Sequence, residues 1–212
     1  MLLETATLNA LQAIVGENRV LTDDDSLRHY GRDWTRFYQP APSAIVLPGS
    51  VDEVQAIVRL AADQKLALVP SGGRTGLSAG SVACNGEIVL ALDRMNSISD
   101  FNPMDRTVRC GAGVITEQLQ QFAANQGLYY PVDFASAGSS QIGGNISTNA
   151  GGIKVIRHGM TRDWVAGLKL VTGTGELLDL NQGLIKNNAG YDLRQLAIGA
   201  EGTLGIVVEA TM

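Results

Sequence analysis

The chain has 212 residues, 45% of them apolar and 17% charged, with a formal net charge of −5. That length and apolar content support a core without disulfide or metal staples, and an acidic balance with no basic tract argues against a nucleic-acid surface. Cys84 and Cys110 stand without metal-ligand neighbours and two histidines (His29, His158) make no zinc site; no metal is assigned, and both cysteines read as small buried hydrophobes.

The opening stretch MLLETATLNALQAIVG predicts an amphipathic helix ending at Gly16. It does not read as a secretory leader, because Glu4 falls where a basic start and an unbroken apolar run are expected. No segment approaches the roughly 18 apolar residues of a membrane span, so a cytoplasmic protein without a transmembrane segment is expected. Residues 44–47 read as a strand, and Ser50 with Glu53 three positions later reads as a capping box opening a helix whose Val54, Ile57, Val58 and Ala61 share one face. Residues 66–69 then complete a β-α-β unit. Strands follow at 87–92 and 107–110, and a helix at 116–125 stopped by Gly127. Residues 165–171 and 177–180 form a hairpin around Gly173-Thr174-Gly175-Glu176, 191–198 a short helix, and 204–210 a last strand. The ending shortly after that strand suggests a piece of a longer polypeptide. The class is α+β, with a boundary near residue 82.

Two glycine-dense segments, PSGGRTGLSAG at 70–80 and GSSQIGGNISTNAGG at 138–152, hold nine of the 25 glycines. Such density marks backbone that takes positive φ or approaches something bulky. The common magnesium-assisted design is missing: no Gly-Lys pair exists for a P-loop. Gly111-Ala112-Gly113 begins a dinucleotide fingerprint whose sixth position is Thr116 instead of glycine, and the ordered lysine and acids of a kinase are not present. Long loops whose amides cup an anion remain, which suits a diphosphate between two nucleoside halves. In the first, Gly72, Gly73 and Gly76 would curl round it, Ser71 and Thr75 add hydroxyl donors, and Arg74 offsets charge. The second interleaves Ser139, Ser140, Asn145, Ser147, Thr148 and Asn149 with glycines, and amides that both donate and accept suit a flavin's pyrimidine edge. Small-residue surface turns are the plain alternative for both segments.

In order, VLPGSVDEVQAIV, PSGGRTGLSAG, GSSQIGGNISTNAGG and NNAGYDLRQLAIGAEGTLGIV resemble the FAD-binding domain of the vanillyl-alcohol oxidase/p-cresol methylhydroxylase superfamily. Within it they are most like the FAD-linked D-2-hydroxyacid dehydrogenases, the D-2-hydroxyglutarate dehydrogenase and glycolate oxidase large-subunit branch. The resemblance implies a PCMH-type fold of two α+β subdomains, about 1–82 and 83–212, clasping FAD and lacking the C-terminal cap domain. It implies that Pro70, Ser71, Gly72, Gly73, Arg74, Thr75, Gly76 and Leu77 grip the cofactor together with Gly138, Ser139, Ile142, Gly143, Gly144, Asn145, Thr148, Asn149, Gly151 and Gly152. Pro131 and Asp133 would lie along the flavin ring, and Gly202, Gly205 and Ile206 near the adenosine half. Relatives that bond flavin covalently have histidine where this chain has Arg74, so noncovalent FAD is expected. The full-length enzyme would oxidise a small-molecule 2-hydroxyacid to a 2-oxoacid by hydride transfer and reduce an unidentified acceptor. The cap would supply metal ligands, substrate cations and base, so catalytic residues are not assigned and this piece would hold FAD without turnover. His158 reads as an ordinary histidine. A UDP-N-acetylmuramate reductase-like or aldonolactone oxidase-like enzyme, a noncatalytic flavin module, and a scaffold binding no cofactor stay open.

Overall fold

The computed structural model describes residues 3–35 and 37–212. α1 (Thr5–Val15) buries Leu11 and Val15, four apart on one face, and stops at Gly16. Next come β1 (Val20–Leu21) and α2 (Asp24–Tyr30), which the sequence reading did not include. α2 nevertheless carried its signals: Asp23 Oδ1 accepts from the Ser26 amide at 2.9 Å, Asp24 and Asp25 occupy the first turn, and Arg28 and His29 the last. β2 (Ala44–Val46) is wholly buried. α3 (Val51–Gln64) starts where Ser50 Oγ accepts from the Glu53 amide at 3.2 Å, and buries Val54, Ile57, Val58 and Ala61. Glu53 turns back to the Gly49 amide at 2.6 Å, one residue before the partner a full capping box uses.

β3 (Leu68–Ser71) runs further into the first glycine segment than expected, and β4 (Ile88–Ala91) follows. The first sheet has the order β1-β2-β4-β3, with β2 and β3 each parallel to β4 and β1 antiparallel to β2. β4 therefore slots inside the β-α-β unit. Among the described residues it is the only hydrogen-bonded neighbour β3 has in this sheet, so the sheet continues to Ala91, past the boundary of about 82 read from the glycine cluster.

β5 (Ile98–Asn102) and β6 (Thr107–Gly111) open the second layer, and α4 (Thr116–Asn125) matches its expected span. Then come α5 (Ile142–Thr148), α6 (Val155–His158), β7 (Gly167–Val171), β8 (Leu177–Leu180), α7 (Arg194–Ala197) and β9 (Ile206–Thr211). The sheet is antiparallel throughout, in the order β5-β6-β9-β7-β8. α3 ties the layers together: Gln55 Nε2 and Arg59 Nη2 donate to Gly175 O, in the β7–β8 turn, at 2.8 and 3.0 Å. One apolar cluster joins Leu11, Val54, Ile57 and Leu90 with Ala112, Val171 and Val208, so the core crosses from layer to layer. Cys110 is buried as read, whereas Cys84 is only half-buried. Among the described residues no helix is long and apolar enough to cross a membrane.

The largest departure is α5, where the sequence reads as a glycine loop. Glycine and β-branched residues disfavour a helix by propensity, but Ile142 and Ile146, four apart, are both fully buried beside Val114 and Leu168. Burial of the two side chains outweighs the propensity deficit, at roughly 1.5–3 kcal/mol each.

Candidate cofactor site

The first glycine segment leaves β3 at Ser71, which is fully buried with its Oγ unpartnered. It runs directly against the second. A Cβ on Gly73 would fall 2.1 Å from Ser139 O, and one on Gly72 would lie 3.5 Å from Gln141 Oε1 and 3.6 Å from Gly144 Cα. Glycine is needed at Gly73 for contact between two main chains. Arg74, at φ 58, holds the left-handed bend beyond them. Its guanidinium donates to Gly72 O at 2.7 Å and, through both terminal nitrogens, to Asp93 at 3.2 and 2.9 Å, and lies 4.7 Å from the centre of the Tyr30 ring. Arg74 thus braces the loop, its charge met by Asp93. Burial raises the Tyr30 phenol, and burial followed by Arg74 lowers His29.

In the second segment most polar side chains serve the fold. Asn145 Nδ2 donates to Thr116 Oγ1 at 2.6 Å, and that hydroxyl lies 2.7 Å from Ser140 Oγ, a buried chain of three. Ser147 Oγ and Thr148 Oγ1 donate to the carbonyls of Gly143 and Gly144 one turn back, at 2.8 and 3.0 Å. Asn149 caps α5 in a left-handed conformation, its Oδ1 accepting from the Arg162 amide at 3.0 Å. Of the two amides expected at a flavin edge, Asn149 Oδ1 and Asn145 Nδ2 are thus engaged by the protein itself.

Both segments border one cleft of about 320 Å³. Among the expected residues it takes in Pro70, Ser71, Gly72, Gly73, Arg74, Thr75, Gly76, Leu77, Gly143, Gly144, Asn145, Thr148 and Gly202. Gly205 and Ile206 line a second cavity of about 220 Å³, which shares Pro70 and Gly202 with the first. The rest stand outside both. Ile142 is core, Pro131 is buried, and Ser139 with Gly138 lies behind the contact with Gly73. Gly151 packs near Val155 and Met160, and Gly152 bridges to Asp133. Asp133 is paired with Lys154 at 2.8 Å; the lysine holds its carboxyl below the usual carboxylate range, and Asp133 in turn raises Lys154. His158 meets Tyr129 edge-on at 5.9 Å and does not line the cleft. Missed by sequence reasoning were Asp33, Phe134, Ser136, Gln141 and Glu201. Asp33 comes from a segment distant in sequence; Gln141 and Glu201 stood within two of the motifs, Gln141 hidden among small residues and Glu201 beside the expected Gly202.

Four buried side-chain atoms have no hydrogen-bond partner among the described residues: Asp33 Oδ2, Ser71 Oγ, Tyr130 Oη and Gln141 Oε1. Three of the four line the cleft. Buried polar atoms are normally satisfied, so these mark where a polar ligand completes the structure. The adjoining glycine backbone, with open space over Gly144, leaves room for one.

The chain matches the FAD binding domain family over residues 42–181. It belongs to that family. It is 68% identical to D-2-hydroxyglutarate dehydrogenase of Stutzerimonas stutzeri over 209 residues, 99% of this chain and 45% of that protein. It is 39% identical to D-2-hydroxyglutarate–pyruvate transhydrogenase of Saccharomyces cerevisiae over 97% of this chain and 42% of the relative. The chain spans less than half the length of either. Among solved structures, alkyldihydroxyacetonephosphate synthase superposes with a TM-score of 0.88 at 24% identity, over 99% of this chain and 40% of that one. p-Cresol methylhydroxylase does so at 0.79 and 21%, over 98% and 42%. The PCMH-type fold is therefore shared at low identity, and FAD is the ligand that the family and the cleft agree on.

Proposed function

We propose that this chain is the FAD-holding domain of a flavin-dependent dehydrogenase of a D-2-hydroxyacid, of the 2-hydroxyglutarate class, with the cofactor held noncovalently. The observation that carries this is the meeting of two glycine segments, remote in sequence, on one cleft that leaves Asp33, Ser71 and Gln141 without partners. Gly72, Gly73 and Gly76 form the anion cradle: Gly73 seats the first segment against Ser139 O of the second, and the missing side chains of Gly72 and Gly76 let main-chain amides approach a diphosphate. Pro70 and Gly202 are common to both cavities, so the two halves of a dinucleotide would diverge beside them, with Gly205 and Ile206 on the adenosine side. Gly144 and Thr148 present the cleft-facing side of α5 to the flavin half. Arg74, braced on Asp93, offers no nucleophile for a covalent link.

Bound FAD supplies a two-electron acceptor able to take a hydride from the carbinol carbon of a 2-hydroxyacid, leaving a 2-oxoacid. The chain's own contribution is rigidity. The Thr116–Ser140–Asn145 chain fixes α5 against the start of α4, and Arg74 fixes the cradle, so the site is preorganised. Recognition of the hydroxyacid and delivery of electrons to an acceptor belong to the remainder of the whole protein.

The test is the visible spectrum of the purified chain before and after adding FAD, followed by acid precipitation. A flavin band that survives gel filtration and passes into the acid supernatant is expected, without bleaching by D-2-hydroxyglutarate in the absence of oxygen. A protein that stays colourless after FAD is added refutes the reading.

A further inference from the structure

Asp33 has no place in the phosphate cradle, yet it faces the cleft. It is 6% exposed, and only Oδ1 is satisfied, by the Thr35 amide at 2.8 Å. Its segment is fastened to the first glycine loop by Trp34 N donating to Gly76 O at 2.9 Å, and to the chain beyond by Ala83 N donating to Gly31 O at 2.9 Å. Oδ2 is left 3.4 Å from where a Cβ on Gly76 would stand, with no partner among the described residues. Gln141 Oε1, 5% exposed, is the corresponding unpartnered acceptor at the Gly72 end of the same loop.

Carboxylates accept hydrogen bonds and do not donate them, and so do phosphate oxygens near neutral pH. A diphosphate cannot satisfy Asp33 and is repelled by it. The Arg74 charge, also on the cleft, is already paired with Asp93. An acceptor at each end of the glycine loop suits a ligand whose diphosphate is flanked by hydroxyl-bearing arms. We propose that Asp33 is a positioning residue for the cofactor: its Oδ2 accepts from an O–H or N–H donor of the nucleotide and sets where along the cleft the diphosphate comes to rest. The donor is a sugar or ribityl hydroxyl or a ring N–H, and the inference rests on the FAD reading above.

The experiment compares wild type with Asp33→Asn and Asp33→Ser. Asparagine keeps an oxygen for the Thr35 amide and replaces only the unpartnered acceptor with a donor. FAD binding is followed by quenching of flavin fluorescence, ADP by competition against FAD, and the ligand-free proteins by thermal melting. A charge-assisted hydrogen bond replaced by two opposed donors predicts FAD binding weaker by about 10- to 100-fold in Asp33→Asn. The ligand-free protein should melt at the wild-type temperature or above, because an unsatisfied buried carboxylate has gone. A loss shared by ADP puts the donor on the adenosine side; a loss for FAD alone puts it on the ribityl–flavin side. Either supports the assignment. Binding unchanged or tightened in both variants overturns it, since a carboxylate that only repels phosphate strengthens binding when neutralised. A ligand-free Asp33→Asn protein that melts well below wild type, or does not fold, also overturns it by making the carboxylate structural. Wild type that fails to bind FAD overturns the parent reading instead.

Discussion

Gly143 and Gly144 are adjacent in one helix, yet alanine at each should act with opposite sign. A Cβ on Gly143 would lie 2.7 Å from Ala112 Cβ and 3.1 Å from Ala112 O, whereas one on Gly144 meets nothing within 4 Å. Ala112 is fixed to β9 through its amide, which donates to Val208 O at 3.0 Å, and its carbonyl accepts from Gly143 N at 2.8 Å, so neither partner yields easily. Overpacking at such a site costs up to about 3 kcal/mol, and replacing a helical glycine returns about 1 kcal/mol. The net loss of about 2 kcal/mol lowers the melting temperature of Gly143→Ala by roughly 4–8 °C for a domain of this size. Gly144→Ala keeps only the propensity gain and should melt roughly 2–4 °C higher. Its methyl group enters the cleft, however, so FAD affinity should fall by about 5- to 150-fold, the equivalent of about 1–3 kcal/mol of overpacking against a ligand. Differential scanning calorimetry without ligand and fluorescence titration with FAD read the two effects separately. A Gly144→Ala protein with wild-type affinity would show that this side of α5 does not face the cofactor. Equal melting shifts for the two variants would refute the packing argument.

Arg74→Ala and Asp93→Ala should each destabilise the protein and weaken FAD binding. In a double-mutant cycle by urea denaturation they should couple by about 1 kcal/mol, and additivity would remove the brace. Thiol labelling of the native protein should modify half-buried Cys84 and spare Cys110 until unfolding; early labelling of both would contradict the buried core. Burial, with a smaller push from Glu209, raises the Cys110 thiol from 9.0 to about 12. The folded state keeps that proton while the unfolded chain loses it, so this stabilisation is whole below pH 9 and falls away as pH rises towards 12. The gap in urea midpoint between wild type and Cys110→Ala should therefore narrow between pH 8 and about 10.5, and a gap independent of pH would refute it. Gly175→Ala, whose Cβ would fall 2.5 Å from Arg59 Cγ at φ +79, should loosen the α3–hairpin junction and lower the melting temperature by roughly 2–6 °C.

Elements with a local cause were readable from the chain. α3 announced itself by Ser50 and by four apolar residues at helical spacing, α4 by its amphipathic run before Gly127, and the β7–β8 hairpin by Gly-Thr-Gly-Glu. Misreadings arose where a distant partner decides. β4 looked like the start of a new layer because nothing local reveals that β2 and β3 both pair with it. α5 looked like a loop because its two glycines mask an Ile142–Ile146 pair whose burial depends on β6 and β9.

Glycine density located the site correctly but did not separate its two causes. Gly73 is required by Ser139 O and Gly143 by Ala112, both protein atoms, while Gly144 leaves open space. A glycine-rich motif therefore reports close approach of backbone to something, and only the fold tells main chain from ligand. The same ambiguity hid the polar half of the site. Serine, threonine and asparagine in the motif mostly bond to the protein itself, whereas the acceptors left for a ligand are Gln141, inside the motif, and Asp33, some forty residues upstream of the first glycine loop in a stretch with no motif at all. What makes Asp33 conspicuous is the contrast between its burial and its missing partner, a property of three-dimensional surroundings that no spacing of residue types encodes.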